Sequence, residues 1–109
     1  MRTKILLTAA TALAAGVVAS NAQVYSANCR SCHGPDGKGG PKAGSVVDPS
    51  YLSLVSNQYL RTIVIAGRPE LGHPDWKHAA SGQPLTPAQV SDVVAWISSK
   101  RAAPLAANN

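Results

Sequence analysis

Hydrophobic positions fall into four groups along the chain, and their spacing differs from group to group. The first is a largely apolar run from Ile5 to about Val18, preceded by Met1-Arg2-Thr3-Lys4 and followed by Ser20-Asn21-Ala22. That order of charged, apolar and small residues is the pattern of a secretory leader over residues 1–22. Cleavage after Ala22 starts the mature chain at Gln23, and Ala12-Leu13-Ala14 is a second possible site. The run is shorter than the ≈20 residues of a spanning helix; kept uncleaved, it is an anchor, and only then does the chain contact a membrane.

The other three groups have helical spacing. Val24 and Tyr25 precede Cys29, and Tyr25 shares a helical face with Cys29 four residues on, which predicts a short helix over 23–33 with Tyr25 turned inwards. Leu60, Ile63 and Val64, flanked by Tyr59, form one stripe of a helix over 57–66, with Ser56 to cap it and Gly67 to end it. Val90, Val93, Val94 and Ile97 form the last stripe. Thr86 is its N-cap, Pro87 the first helical residue and Gln89 the other half of a capping box. Trp96 lies on the flank of this stripe, as a core aromatic packing on the first helix. Lys100 and Arg101 suit the C-terminal end by their charge, and 102–109 read as a flexible tail.

Between the stripes the chain is punctuated. Gly34-Pro35-Asp36-Gly37-Lys38-Gly39-Gly40-Pro41 is a loop. Ser45-Val46-Val47 is too brief for a strand, Asp48-Pro49 signals a turn or helix start, and a helix is expected over 50–55. Residues 67–76 carry too many glycines and prolines for a helix and are expected to be extended loop, and 79–84 is a linker.

Chemistry concentrates in Cys29-Arg30-Ser31-Cys32-His33. Two thiols three residues apart on one helical turn can each form a thioether with a porphyrin vinyl group, and the following histidine then lies beneath the iron. Zinc would want a second pair of ligands, yet the chain has only these two cysteines. A dithiol redox pair belongs beside a βαβ pattern, which is absent from the sequence. Cys29, Cys32 and His33 are therefore assigned to one covalent haem c. A ligating histidine donates its other ring N–H to a neighbouring acceptor, and in the loop after His33 the Pro41 carbonyl is the expected partner.

Composition agrees with a cofactor. The chain has 109 residues, no phenylalanine and few aromatics, and is shorter still without a leader, so a buried macrocycle would supply apolar area the side chains lack. The net charge of +5 includes Arg2 and Lys4, and two propionates would lower the remainder further. No basic run interleaved with aromatics points to nucleic acid. A mildly positive face at the haem edge suits acidic redox partner proteins.

A second iron ligand has few sources. The only methionine is Met1, which leaves His73, between Gly72 and Pro74 in the stiff part of the loop, and His78, where the loop becomes polar, with lysine as a weaker source. The other reading of His73 is an exposed loop histidine without an iron contact. Tyr59 is either a half-buried core tyrosine or a donor to a propionate. Arg61 and Arg68 are either solvated or paired with a propionate.

With these pieces placed, residues 25–101 resemble the small single-haem cytochrome c domains of the class I type. The resemblance rests on Tyr25-x-x-x-Cys29-x-x-Cys32-His33-Gly34, Asp36-Gly37-Lys38-Gly39, Gly67-Arg68-Pro69-Glu70, and Leu85-Thr86 opening the helix with Val93-Val94-Ala95-Trp96-Ile97. It implies an all-α fold of three to five short helices around one covalent haem c, the first and last helices crossing, with electron transfer as the activity. It also implies residence in the periplasm or another extracytoplasmic compartment of a bacterium. Many such domains carry Met-Pro-x-Trp in the distal loop, where this chain has His73-Pro74-Asp75-Trp76. The implied ligation is His33 with His73, and Trp76 counts with the haem contacts. Methionine with histidine raises a haem potential, so two imidazoles imply a lower one.

Two other functions compete with an electron carrier. A haem enzyme or gas-binding sensor needs an open sixth position. A subunit feeding electrons into a larger oxidoreductase shares the chemistry and differs in its partners.

Overall fold

The computed structural model describes residues 21–102. The leader assigned to 1–22 and the tail assigned to 102–109 lie almost wholly outside that range. Among the described residues the regular structure is helical, without strands. Helix α1 covers residues 21–28, α2 Arg30–His33, α3 Pro49–Leu54, α4 Asn57–Ala66 and α5 Pro87–Ser98. The all-α expectation holds. No described helix is long and apolar enough to cross a membrane.

The helix expected over 23–33 is kinked at Cys29, where φ is −124°. Just before it, Asn28 Nδ2 donates to the Val24 carbonyl at 2.9 Å, a local side-chain bond to the preceding turn. The ladder resumes across the kink, with Cys29 N–H on Tyr25 O at 2.8 Å and His33 N–H on Cys29 O at 3.0 Å.

The later helices start where their caps dictate. Asp48 accepts from Tyr51 N–H, with Pro49 in the first turn, so α3 begins one residue before the expected 50. Ser56 accepts from Tyr59 N–H, and Gly67 closes α4. Thr86 and Gln89 exchange both bonds of a capping box at the start of α5. Each cap satisfies amides that a helix start leaves without partners.

The loop over 67–76 is more ordered than its glycines and prolines suggest. Pro69–Leu71 makes a 3₁₀ turn, and Arg68 and His73 then pair as an isolated bridge through bonds of 2.9 and 3.0 Å. Asp75 caps a second 3₁₀ turn, Trp76–His78, by accepting from Lys77 and His78 N–H. Short proline-initiated or side-chain-capped turns satisfy the backbone where a full helix cannot form.

The core joins Val24, Leu52, Leu60, Ala79, Leu85 and the α5 stripe of Val90, Val93, Val94 and Ile97. Tyr25 is fully buried and stacks on Trp96, as the two apolar stripes foretell. Arg101 departs from its expected role as a charge at the end of α5. Its guanidinium turns back to the Leu52 carbonyl and to Asn57 Oδ1, bracing α5 against the α3–α4 junction.

Candidate functional site

A cavity of about 380 Å³ opens between α1–α2, α4, α5 and the loop after α4. Its walls are mostly apolar: Val46, Leu60, Ile63, Val64, Leu71, Leu85, Val93 and Ile97 all line it. The residues read from sequence as helix stripes therefore serve the cavity as well as the core. Leu71 lines it while remaining 70% exposed, an apolar side chain at the cavity mouth.

Helix α2 brings Cys29, Cys32 and His33 to one wall. Both thiols are free and partly buried. Burial, with a smaller contribution from Cys32, pushes the Cys29 thiol up to about 11. His33 Nδ1 is 2.7 Å from the Gly44 carbonyl. A carbonyl has no proton to give, so in the neutral ring Nδ1 carries the hydrogen and Nε2 is the nitrogen with a lone pair to offer.

That carbonyl corrects the expectation for Pro41, which is exposed and not part of the cavity lining. The loop folds back beneath α2 by Gly39 N–H on His33 O at 2.8 Å and Ala43 N–H on Cys32 O at 3.2 Å. Those bonds spend the first residues of the loop on the turn and bring Gly44, three residues beyond Pro41, under the imidazole.

His73 reaches the same cavity from the loop after α4. Its Nδ1 lies 3.0 Å from the Pro74 carbonyl, so in the neutral ring the hydrogen is on Nδ1 and Nε2 is the nitrogen able to bind a metal. The rings of His33 and His73 are 6.3 Å apart between centroids and inclined by 55°. A metal held at roughly 2 Å from one nitrogen of each ring sets the ring centres about 6 Å apart. Two thiols, two imidazoles with Nε2 lone pairs and an apolar cavity of ligand-binding size fit a haem tethered at one wall.

The remaining expectations fare differently. His78 does not line the cavity; its Nδ1 is 2.8 Å from Asp75 Oδ1 and its side chain is largely exposed. That bond is the main cause holding the Asp75 carboxyl below its usual range. Trp76 is also outside the lining. The cap at Asp75 turns the chain there, and Trp76 borders a separate surface cavity with Arg61, Ile65, Leu85, Pro87, Val90 and Ser91. Tyr59 is 45% exposed and absent from the lining, while Tyr51 of α3 is part of it. Burial pushes the Tyr51 phenol up, helped by Tyr59. Arg68 pairs with Glu70 at 2.8 Å on the surface. Sequence reasoning missed Gly44, Tyr51 and Asn28; the helix-start signal at Asp48-Pro49 is the one local clue, placing Tyr51 in the first turn of α3.

Residues 16–97 match the family model described as cytochrome c oxidase, cbb3-type, subunit III. No curated protein and no solved structure matches the chain. The family match spans most of the chain and includes both thiols, His33 and the loop after α4. The chain belongs to this cbb3-type cytochrome c family and is an electron-transfer cytochrome that binds one haem c covalently.

Proposed function

We propose that this chain is an exported one-electron carrier whose haem c, tethered by Cys29 and Cys32, has His33 and His73 as its two axial ligands. The observation that carries the reading is the pair of imidazoles lining one cavity, 6.3 Å apart between ring centroids, each with Nδ1 engaged by a backbone carbonyl. When bound, the haem supplies reversible exchange between ferrous and ferric iron. With His33 and His73 both holding the iron, no position on it would be left for a substrate. The apolar side chains around them exclude water, and lowering the polarity of a haem's surroundings is one of the levers on its potential. Leu71 at the mouth offers partner proteins an apolar approach to the cofactor.

Export rests on the charged, apolar and small-residue order of 1–22 and on the extracytoplasmic setting usual for bacterial cytochrome c domains. The mass of the mature polypeptide tests cleavage after Ala22. The ligation is tested by exposing the ferrous protein to carbon monoxide: the spectrum of the native chain stays unchanged, whereas His73→Ala binds the gas. Free binding by the native chain would assign it instead to the sensors and enzymes with an open sixth position.

The family description names a subunit of an oxidase, and this favours a second reading in which the domain passes electrons within a larger assembly. Co-purification of the exported form with oxidase components supports that reading, and recovery as a lone monomer supports a diffusing carrier.

A further inference from the structure

Gly67 does more than end α4. Its φ of +65° lies in the left-handed region, it is buried, and its N–H caps the helix on the Ile63 carbonyl. A Cβ placed there would collide with the Pro74 carbonyl oxygen and come within 2.6 Å of Pro74 C and 2.8 Å of Asp75 N. The colliding oxygen is the acceptor for His73 Nδ1. The next residue, Arg68, pairs through its backbone with His73. The bare face of Gly67 therefore seats the one atom that sets the tautomer and rotation of the distal imidazole, while the bridge beside it fixes the backbone of the same histidine.

We propose that Gly67 is a positioning residue for the distal ligand: by admitting the Pro74 carbonyl against its α-carbon it aims His73 Nε2 into the cavity. This rests on the reading of His73 as the sixth ligand and extends it to a residue that touches neither iron nor porphyrin. The partner of a ligating imidazole is worth about tenfold to a hundredfold in ligand affinity. Displacing the Pro74 carbonyl has that consequence even though both histidines remain in place.

The control is built into the chain. Gly82 also has a left-handed φ, +86°, but a Cβ there meets nothing within 4 Å, and Gly82 is not part of the cavity lining. Gly67→Ala and Gly82→Ala both place a side chain at positive φ, and only the first meets the collision.

The experiment titrates the ferrous holoproteins with carbon monoxide. Gly67→Ala binds the gas about tenfold to a hundredfold more readily than the native chain, and Gly82→Ala matches the native chain. Equal closure of Gly67→Ala and native protein overturns the assignment, as does an equal opening of both variants, which would trace the effect to left-handed strain alone. Native protein as open as His73→Ala removes the ligation reading and this one with it. If Gly67→Ala does not fold, NMR of the native ferrous protein decides. Coupling across the hydrogen bond from His73 Nδ1 to the Pro74 carbonyl carbon supports the proposal, and its absence, with His73 still bound to iron, overturns it.

Discussion

Tyr25 and Trp96 stack with ring centroids 3.9 Å apart and planes 19° from parallel, joining the helix that leads into the thiols to the last helix. Lys100 Nζ lies over Trp96 at 4.7 Å from its ring centre. Tyr25 also lines the haem cavity, so this stack couples the cofactor wall to α5. Trp96→Ala is expected to cost about 3 kcal/mol, the low end for losing a large aromatic because Trp96 is only partly buried. Urea unfolding of the holoprotein, compared with Trp96→Phe as the milder change, measures it.

The Tyr25 hydroxyl donates to the Gly34 carbonyl at 2.6 Å inside the protein. Burial is the first cause pushing this phenol up to about 12 from its ordinary 10. A group whose folded pKa is raised contributes its stability fully below the unfolded value and loses it as pH climbs through the folded one. The stability difference between the native chain and Tyr25→Phe is therefore constant below pH 10 and narrows between 10 and about 12. At neutral pH the variant removes the shorter of two hydrogen bonds to the Gly34 carbonyl, which keeps Gly37 N–H at 3.2 Å, a loss of about 1 kcal/mol. Unfolding measured across this pH range checks both statements.

Helix starts and ends were legible in the sequence because their causes are local. Ser56 and Gly67 bracket α4, and Thr86 with Gln89 opens α5, through partners within four residues. The thiol motif was legible for the same reason. The contacts of Gly44 and Arg101 depend on parts of the chain further away in sequence. Gly44 meets His33 because the intervening loop folds under α2, a path that glycine and proline content does not specify. Trp76 was assigned to the haem through the family string, whereas the Asp75 cap turns it towards another surface. Arg101 was read as a charge at a helix end, yet its acceptors, Leu52 and Asn57, lie more than 40 residues earlier.

That last contact makes its own prediction. Arg101→Ala removes donors from the Leu52 carbonyl and Asn57 and is expected to destabilise the holoprotein by about 1–3 kcal/mol. Arg101→Lys recovers only part of it, since an ammonium does not reproduce the planar fork of the guanidinium. A pure helix-dipole role would let lysine substitute fully. Thermal unfolding of the two variants separates these cases.

The thiols act separately. Cys29→Ser or Cys32→Ser leaves one thioether and a haem that still accompanies the polypeptide under denaturing conditions. The double substitution leaves none. Intact-mass spectrometry reads both outcomes directly, and an adduct surviving in the double variant would contradict attachment at these positions.

Exchanging the distal imidazole for a thioether tests the electronic consequence of the ligand set. His73→Met is expected to raise the haem potential by on the order of 100 mV, because methionine favours ferrous iron more than imidazole does. Redox titration of native and variant proteins gives the sign, and a fall in potential would contradict the ligand assignment.

Electron paramagnetic resonance of the ferric holoprotein tests the His33–iron–His73 arrangement most directly. The account predicts a low-spin signal of two imidazole ligands in the native chain and its replacement in His73→Ala by a high-spin or differently ligated signal. An identical spectrum from both proteins would remove His73 from the iron and contradict the account.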